Sequence, residues 1–266
     1  MTWRLVEKSG DDIFENLAIE EAIVRLCAES DDKINTLRFW RAPRAVVLGR
    51  FQCLHEEVNI DYCLRSNIDI ARRFTGGGTV YHDMGNLNFA VCMDQSEHYV
   101  SRTLQELYWN VIGAITRKLQ EIGIPATFDS QRNCIRLHGK KITGTAGWLK
   151  QGVSFIHGTL LIDADLKTLK TCLTVPPDQP RYLRDKTRVR CKGSARDRVT
   201  IIRDEVGEKP DDDQITRAIV HAIEELSEQR VVEGSLTKEE TERAKDLLAI
   251  RYSNPEWNRG TRVDDI

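Results

Sequence analysis

The sequence predicts an α/β fold of the α+β type. Stretches with apolar residues at helical spacing recur along the chain, while short β-prone runs gather between residues 36 and 162. Glycine and proline separate these runs at the places where a chain must turn.

Ile13, Leu17, Ala18, Ala22, Ile23 and Leu26 make residues 12–29 an amphipathic helix, with Glu15, Glu20 and Glu21 between them. Thr36–Trp40 and Ala45–Gly49 read as strands around a turn at Pro43. A short helix over 56–66 follows, then a strand over Ile68–Arg73. Val80–His82 and Leu87–Met93 read as paired arms around Gly85-Asn86. Leu104, Leu107, Val111, Ile112, Ile115 and Leu119 form the apolar stripe of a helix over 102–123, which stops at Gly123 and Pro125. Cys134–Leu137 and Lys141–Thr143 flank a hairpin turn at His138-Gly139-Lys140. Val153–His157 and Gly158–Ile162 extend the sheet. Helices are expected over 165–173, 211–229 and 238–252, the second with an acidic first turn at Asp211–Asp213.

With 266 residues, 40% apolar and 30% charged, the chain can bury a sizeable core. A net charge of −2 gives no sign of general nucleic-acid binding. No apolar run is long enough to span a membrane, and the first residues lack a signal-peptide core. The expected compartment is cytoplasmic. Its 7 cysteines are scattered without a Cys-x-x-Cys pair, so they are expected to be mostly reduced and often buried. Cys53, His55 and Cys63 match no zinc spacing.

Three stretches carry chemistry. Arg72-Arg73 stand just before Gly76-Gly77-Gly78. Three glycines let a ligand lie against backbone N–H groups, and the arginines bring fork-shaped donors. This describes an anion site, although a plain glycine turn fits the same residues. Gly139-Lys140-Lys141 precedes the small residues Gly144-Thr145-Ala146-Gly147. Lys141 there is either an exposed hairpin lysine or a charge beside a ligand wall. Residues 174–199 hold prolines 176, 177 and 180 and many basic residues. They form either a solvated surface loop or a lid over an anion.

In combination, Arg-Arg-x-x-Gly-Gly-Gly-x-Val-x-His-Asp, Gly-Lys-Lys-Ile-x-Gly-x-Ala and His157-Gly158-Thr159-Leu160-Leu161 resemble the lipoate–protein ligase family in order and spacing. The similarity reaches Tyr252-Ser253-x-x-Glu256-Trp257-Asn258 and is nearest to the short, archaeal type of catalytic subunit. It implies a mixed central sheet flanked by helices, the biotin/lipoate protein ligase fold. It implies that ATP activates lipoate to lipoyl-adenylate and that the lipoyl group passes to a lysine of an acceptor. Acceptors of the family are lipoyl domains of 2-oxoacid dehydrogenases and the glycine-cleavage H protein.

On this resemblance Lys141 is the catalytic residue, bridging the lipoyl carbonyl and the α-phosphate. Arg72, Gly77, Gly78, Thr79, Val80, His82, Asp83 and Arg198 join it around the nucleotide, with His82 and Asp83 read first as structural hydrogen-bonders. Arg72, Gly77, Lys141, Gly144, Thr145, Ala146 and His157 would hold the lipoyl group. Mg²⁺ would bridge phosphate oxygens, with protein ligands unassigned. Ala195-Arg196-Asp197-Arg198-Val199-Thr200 resembles the adenylate-binding loop. Residues 1–266 would form a single catalytic domain. Within it 174–199 is a mobile loop and 211–266 a helical C-terminal part, and the accessory domain comes as a separate small subunit.

Two departures bear on this reading. Cys134 stands where many members carry an acid, so a carboxylate metal ligand there is in doubt. It also raises an alternative, an ATP-independent octanoyl or lipoyl transferase working through a cysteine thioester. Cys134 is otherwise an inert, half-buried thiol. A scaffold without chemistry and a biotin ligase fit the motifs less well.

Overall fold

The computed structural model describes residues 3–7, 12–184, 191–208 and 210–263. In chain order it contains β1 (Trp3–Glu7), α1 (Ile13–Glu29), β2 (Thr36–Trp40), β3 (Ala45–Leu48), α2 (Leu54–Glu57), α3 (Ile60–Arg65), β4 (Asp69–Arg72), β5 (Val80–His82) and β6 (Asn86–Asp94). Then come α4 (Leu104–Glu121), β7 (Ala126–Asp129), β8 (Cys134–Leu137), β9 (Lys140–Lys141), β10 (Thr143–Lys150), β11 (Val153–Leu161), α5 (Leu166–Cys172) and β12 (Tyr182–Leu183). The chain continues through α6 (Ile202–Val206), α7 (Asp212–Ser227), β13 (Val231–Glu233), α8 (Lys238–Leu247), a π-turn (Leu248–Tyr252), α9 (Pro255–Arg259) and β14 (Thr261–Arg262).

The main sheet has six strands in the order β10-β11-β6-β2-β1-β13. Its first three pairings are antiparallel, while β2, β1 and β13 run parallel, so the sheet is mixed. Side chains alternate between its faces. Leu37, Phe39, Phe89 and Val91 point to one face and pack with Leu107, Val111 and Ile115 of α4 and Ile215 and Ile219 of α7. Trp40, Ala90, Cys92 and Phe155 point to the other and pack with Leu17, Ala18 and Ile23 of α1, which Ala244 and Leu247 of α8 cover in turn. Of two three-stranded sheets, β4-β3-β5 packs Val47 and Ala71 into this second face, whereas β7-β8-β9 packs Ala126, Ile135 and Leu137 into the first.

Helix starts follow side-chain capping. Asp12 accepts from the Phe14 N–H at 2.7 Å, and Thr237 with Glu240 forms a reciprocal capping box on α8. Several local expectations change under tertiary packing. Val80–His82 and Leu87–Met93 are not arms of one hairpin: β5 pairs with β3, whereas β6 sits in the main sheet. Val153–Leu161 form one continuous strand, with Gly158 lying against the Phe89 ring; a Cβ there would come within 2.4 Å of that ring. The C-terminal part contributes β13 to the main sheet beside β1. Among the described residues no helix is long and apolar enough to cross a membrane.

The expectation of mostly reduced cysteines holds for five of the seven, and one pair departs from it. Cys53 and Cys191 form a disulfide with Cα atoms 5.3 Å apart, across 138 residues of chain. Scattered spacing concealed it because the pairing is tertiary. The other five cysteines are free and buried.

Candidate functional site

A cavity of about 300 Å³ lies between α1, the second face of the main sheet and the segment 194–197. Its floor follows from strand register. Gly144, Thr159, Asn88 and Trp40 form one row across β10, β11, β6 and β2; Ala146, His157, Ala90 and Arg38 form the next. Small residues on β10 keep the row open: a Cβ on Gly144 would come within 2.9 Å of Val80.

The glycine triplet makes one wall. Gly77 has φ +86°, a conformation that costs L side chains strain, and a Cβ there would meet Arg73 Nη2 at 2.9 Å. Arg73 shapes the wall. Its Nη2 donates to the Gly76 and Gly78 carbonyls at 2.6 and 2.7 Å, and its Nε donates to Thr75 Oγ1 at 3.1 Å. Behind it runs a buried chain of polar contacts. Thr75 Oγ1 lies 2.8 Å from His157 Nε2, and His157 Nδ1 lies 2.7 Å from Glu20 Oε2. Trp40 Nε1 donates to the other Glu20 oxygen at 2.7 Å. Burial alone would raise the Glu20 pKa, but the adjacent His157 and Arg38 hold it below the ordinary value. A carboxylate only accepts, so His157 Nδ1 carries the proton and its Nε2 faces the threonine hydroxyl. Burial, then the Arg73 charge, pushes His82 down to about 3, so this ring is neutral in the site.

Lys141 stands at the edge of the floor. Its backbone N–H donates to Arg198 O at 2.8 Å and its carbonyl accepts from Thr200 N–H at 3.0 Å. No carboxylate among the described residues pairs with its ammonium. Asp197, also lining the cavity, is held instead by Arg136 at 2.6 Å, and that contact keeps its carboxyl below the usual range.

The segment 191–200 crosses the mouth of the cavity on side-chain contacts. Ser194 Oγ accepts from the Thr79 N–H and from Gln52 Nε2, both at 2.9 Å, and donates to Glu57 Oε2 at 2.5 Å. The disulfide fixes Cys191, and the Lys192 N–H donates to Phe51 O at 3.0 Å. Part of the basic stretch, 185–190, lies outside the described residues.

The structure brings Gly77, Gly78, Thr79, Val80, His82, Lys141, Gly144, Thr145, Ala146 and His157 to this cavity. It does not bring Arg72, Asp83 or the Arg198 side chain. Consecutive strand residues point to opposite sides, so Arg73 faces the site and Arg72 faces away. Arg72 donates to the carbonyls of Trp257, Gly49 and Gln52 at 2.7–3.0 Å, and Trp257 Nε1 donates back to Arg72 O at 2.8 Å. Arg73 thus lines the cavity in place of Arg72, and Arg72 ties the Glu256-Trp257-Asn258 motif to the body. Asp83 accepts from the Gly85 and Asp165 N–H groups at 2.8 Å, so it serves a turn. Arg198 is exposed and contributes its carbonyl to Lys141. Cys134 is fully buried and does not line the cavity; burial raises its pKa, which disfavours the thiolate that a thioester route needs.

Glu20, Trp40, Asn88, Thr159 and Ser194 line the cavity without having been expected there. Their signal in sequence is the sheet register, which local patterns do not carry. Among the described residues, no group of three or more His, Cys, Asp or Glu side chains could hold a metal ion.

Comparison with known proteins gives a consistent result. Residues 12–224 match the model of the lipoyl protein ligase A/B catalytic domain. The chain is 34% identical over 253 residues to lipoate-protein ligase A subunit 1 of Thermoplasma acidophilum, covering 92% of this chain and 91% of that protein. A crystal structure of lipoate-protein ligase A bound with ATP superposes with a TM-score of 0.79 at 32% identity, covering 98% of this chain and 99% of that one. A structure of a bi-partite lipoate protein ligase and its E2 lipoyl domain, from Thermoplasma acidophilum, superposes with a TM-score of 0.81 at 30% identity over 98% and 97% of the two chains.

Proposed function

The chain belongs to the lipoyl protein ligase A/B catalytic domain family, and from that premise we propose that it activates lipoate with ATP and transfers the lipoyl group to a lysine of an acceptor protein. The observation that carries this reading is Lys141. Its ammonium has no carboxylate partner among the described residues and stands where the glycine wall, the small residues of β10 and the segment 194–197 meet.

In the first half-reaction the lipoate carboxylate attacks the α-phosphorus and diphosphate leaves. Lys141 screens the repulsion between carboxylate and phosphate and stabilises charge on the phosphoryl oxygens. Gly77, Gly78 and Thr79 lie against the nucleotide, with Arg73 holding their backbone in shape. In the second half-reaction the acceptor lysine amine attacks the carbonyl and AMP departs; Lys141 then stabilises charge on the carbonyl oxygen. Segment 191–200 shields the mixed anhydride from water. Magnesium would come with ATP and offset charge on its phosphates; Asp197, the carboxylate near Lys141, is already paired with Arg136 and would have to give up that contact to hold the ion.

The acceptor is a lipoyl domain of a 2-oxoacid dehydrogenase acyltransferase, a glycine-cleavage H protein or a similar domain. A separate small accessory subunit completes the enzyme, in keeping with the relative named subunit 1. Residues 1–266 form the catalytic unit, with 174–199 as its adenylate-binding loop. The test is to incubate the chain with a lipoyl domain, lipoate and Mg-ATP, with and without an accessory subunit, and weigh the acceptor. ATP-dependent lipoylation is expected, stronger with the subunit. Acyl transfer from an acyl carrier protein without ATP, lost in Cys134→Ala, would replace this reading with the transferase.

A further inference from the structure

The inner end of the cavity contains a polar group that the reaction does not use. Asn88 is 2% exposed and lies on the floor row between Thr159 and Trp40. Its Oδ1 accepts from Thr159 Oγ1 at 2.8 Å, yet its Nδ2 has no hydrogen-bond partner. Beside it, the neutral His82 ring stacks on Trp40 with ring centroids 5.6 Å apart and interacts with the Asn88 side chain. An amide nitrogen only donates, so Asn88, which lines the cavity, holds an unused N–H at this end. Burying it unpaired is costly, and such a group asks for a ligand atom.

The distance suits the far end of an acyl chain. Asn88 is two strands from Gly144 in register, about 10 Å at the usual strand spacing. With the carboxyl group at Lys141, a five-carbon chain carrying a small ring reaches that depth. A straight alkyl chain of the same length puts only C–H groups against the amide. A dithiolane puts sulfur there, which accepts weakly.

We propose that Asn88, oriented by Thr159, is the specificity-determining residue that selects an acyl donor bearing a sulfur ring at its end over a plain alkyl acid. This rests on the ligase reading above. It goes further in assigning the choice between lipoate and octanoate to one amide.

The experiment compares kcat/KM for ligation of lipoate and octanoate, and the binding of both free acids by calorimetry, in the parent chain, Asn88→Leu and Thr159→Val. The parent is expected to favour lipoate in both measurements. Asn88→Leu should lower the lipoate-to-octanoate ratio about tenfold, mainly through a lower KM for octanoate, because the unpaired donor is gone. Thr159→Val, a smaller change that keeps the proposal testable if Asn88→Leu does not fold, should lower it about threefold by releasing the amide. A ratio unchanged within twofold in a folded variant overturns the proposal. So does a parent that binds octanoate as tightly as lipoate. A parent that binds both acids with the expected ratio but never modifies an acceptor, with or without the accessory subunit, overturns the ligase reading and leaves the Asn88 assignment supported. A parent that binds neither acid overturns both.

Discussion

The floor of the cavity and the segment across its mouth are held by opposite means. The floor is four strands in continuous ladder, with Thr159, Asn88 and Trp40 each below a tenth exposed. The covering segment has no ladder beyond an isolated bridge between Lys141 and Val199 and depends on Ser194, Asp197 and the Cys53–Cys191 disulfide. A ladder fixes geometry through many backbone bonds, none of which a single side chain controls. Side-chain contacts can be released one at a time. On the proposed function, the floor would set shape and selectivity, and the cover would admit ATP and close over the adenylate.

The largest effect is expected where the two regions meet. Lys141→Ala should lower adenylate formation by about a thousandfold, read by diphosphate exchange, since it removes the cation that screens carboxylate and phosphate. Its melting temperature should barely change, because only the backbone of Lys141 bonds the cover. Activity within tenfold of the parent would sink the assignment of its role. Next, Cys53→Ser should cost about 2–4 kcal/mol of stability in denaturant unfolding, since the bridge closes a long loop. An unaltered midpoint would mean the cover is held by its hydrogen bonds alone.

A pH titration probes the floor. His82 has its folded-state pKa pushed from 6.5 to about 3. Between these values the unfolded chain binds a proton there and the folded chain does not. Stability from this residue is therefore complete above pH 6.5 and is lost as pH falls toward 3, at roughly 1.4 kcal/mol per pH unit. Glu20, lowered below 4.5, adds to the loss only at still lower pH. The window from 6.5 to 4.5 separates the two. His82→Gln should flatten it, as measured by urea unfolding at several pH values. Equal slopes in parent and variant would show that the floor takes up a proton while folded, and so opens as readily as the cover.

Sequence made the cover easier to recognise than the floor. The glycine triplet, Lys141 and the basic segment are contiguous motifs whose composition reports anion chemistry directly. Helices α1, α4, α7 and α8 likewise lie within a few residues of their predicted bounds, because helical periodicity is local. The floor is a row across four strands, and Asn88, Thr159 and Trp40 become neighbours only through register. The choice between Arg72 and Arg73 turned on a single residue of strand phase, which decides the face of every side chain. The disulfide joins residues far apart in sequence and left no local mark.

The smallest effect tests the cover itself. Ser194 Oγ bonds a nitrogen of the glycine wall, the Gln52 amide and the Glu57 carboxylate at once. Ser194→Ala removes all three contacts, but its site is half-exposed and water can replace them. The net loss should be about one hydrogen bond, a fivefold rise in KM for ATP, with kcat and the melting temperature nearly unchanged. A fall in kcat with KM unchanged would place Ser194 in the transition state, where the floor and wall act. A large loss of stability would show that the cover is as rigid as the sheet beneath it, and the division between shape and access would fail.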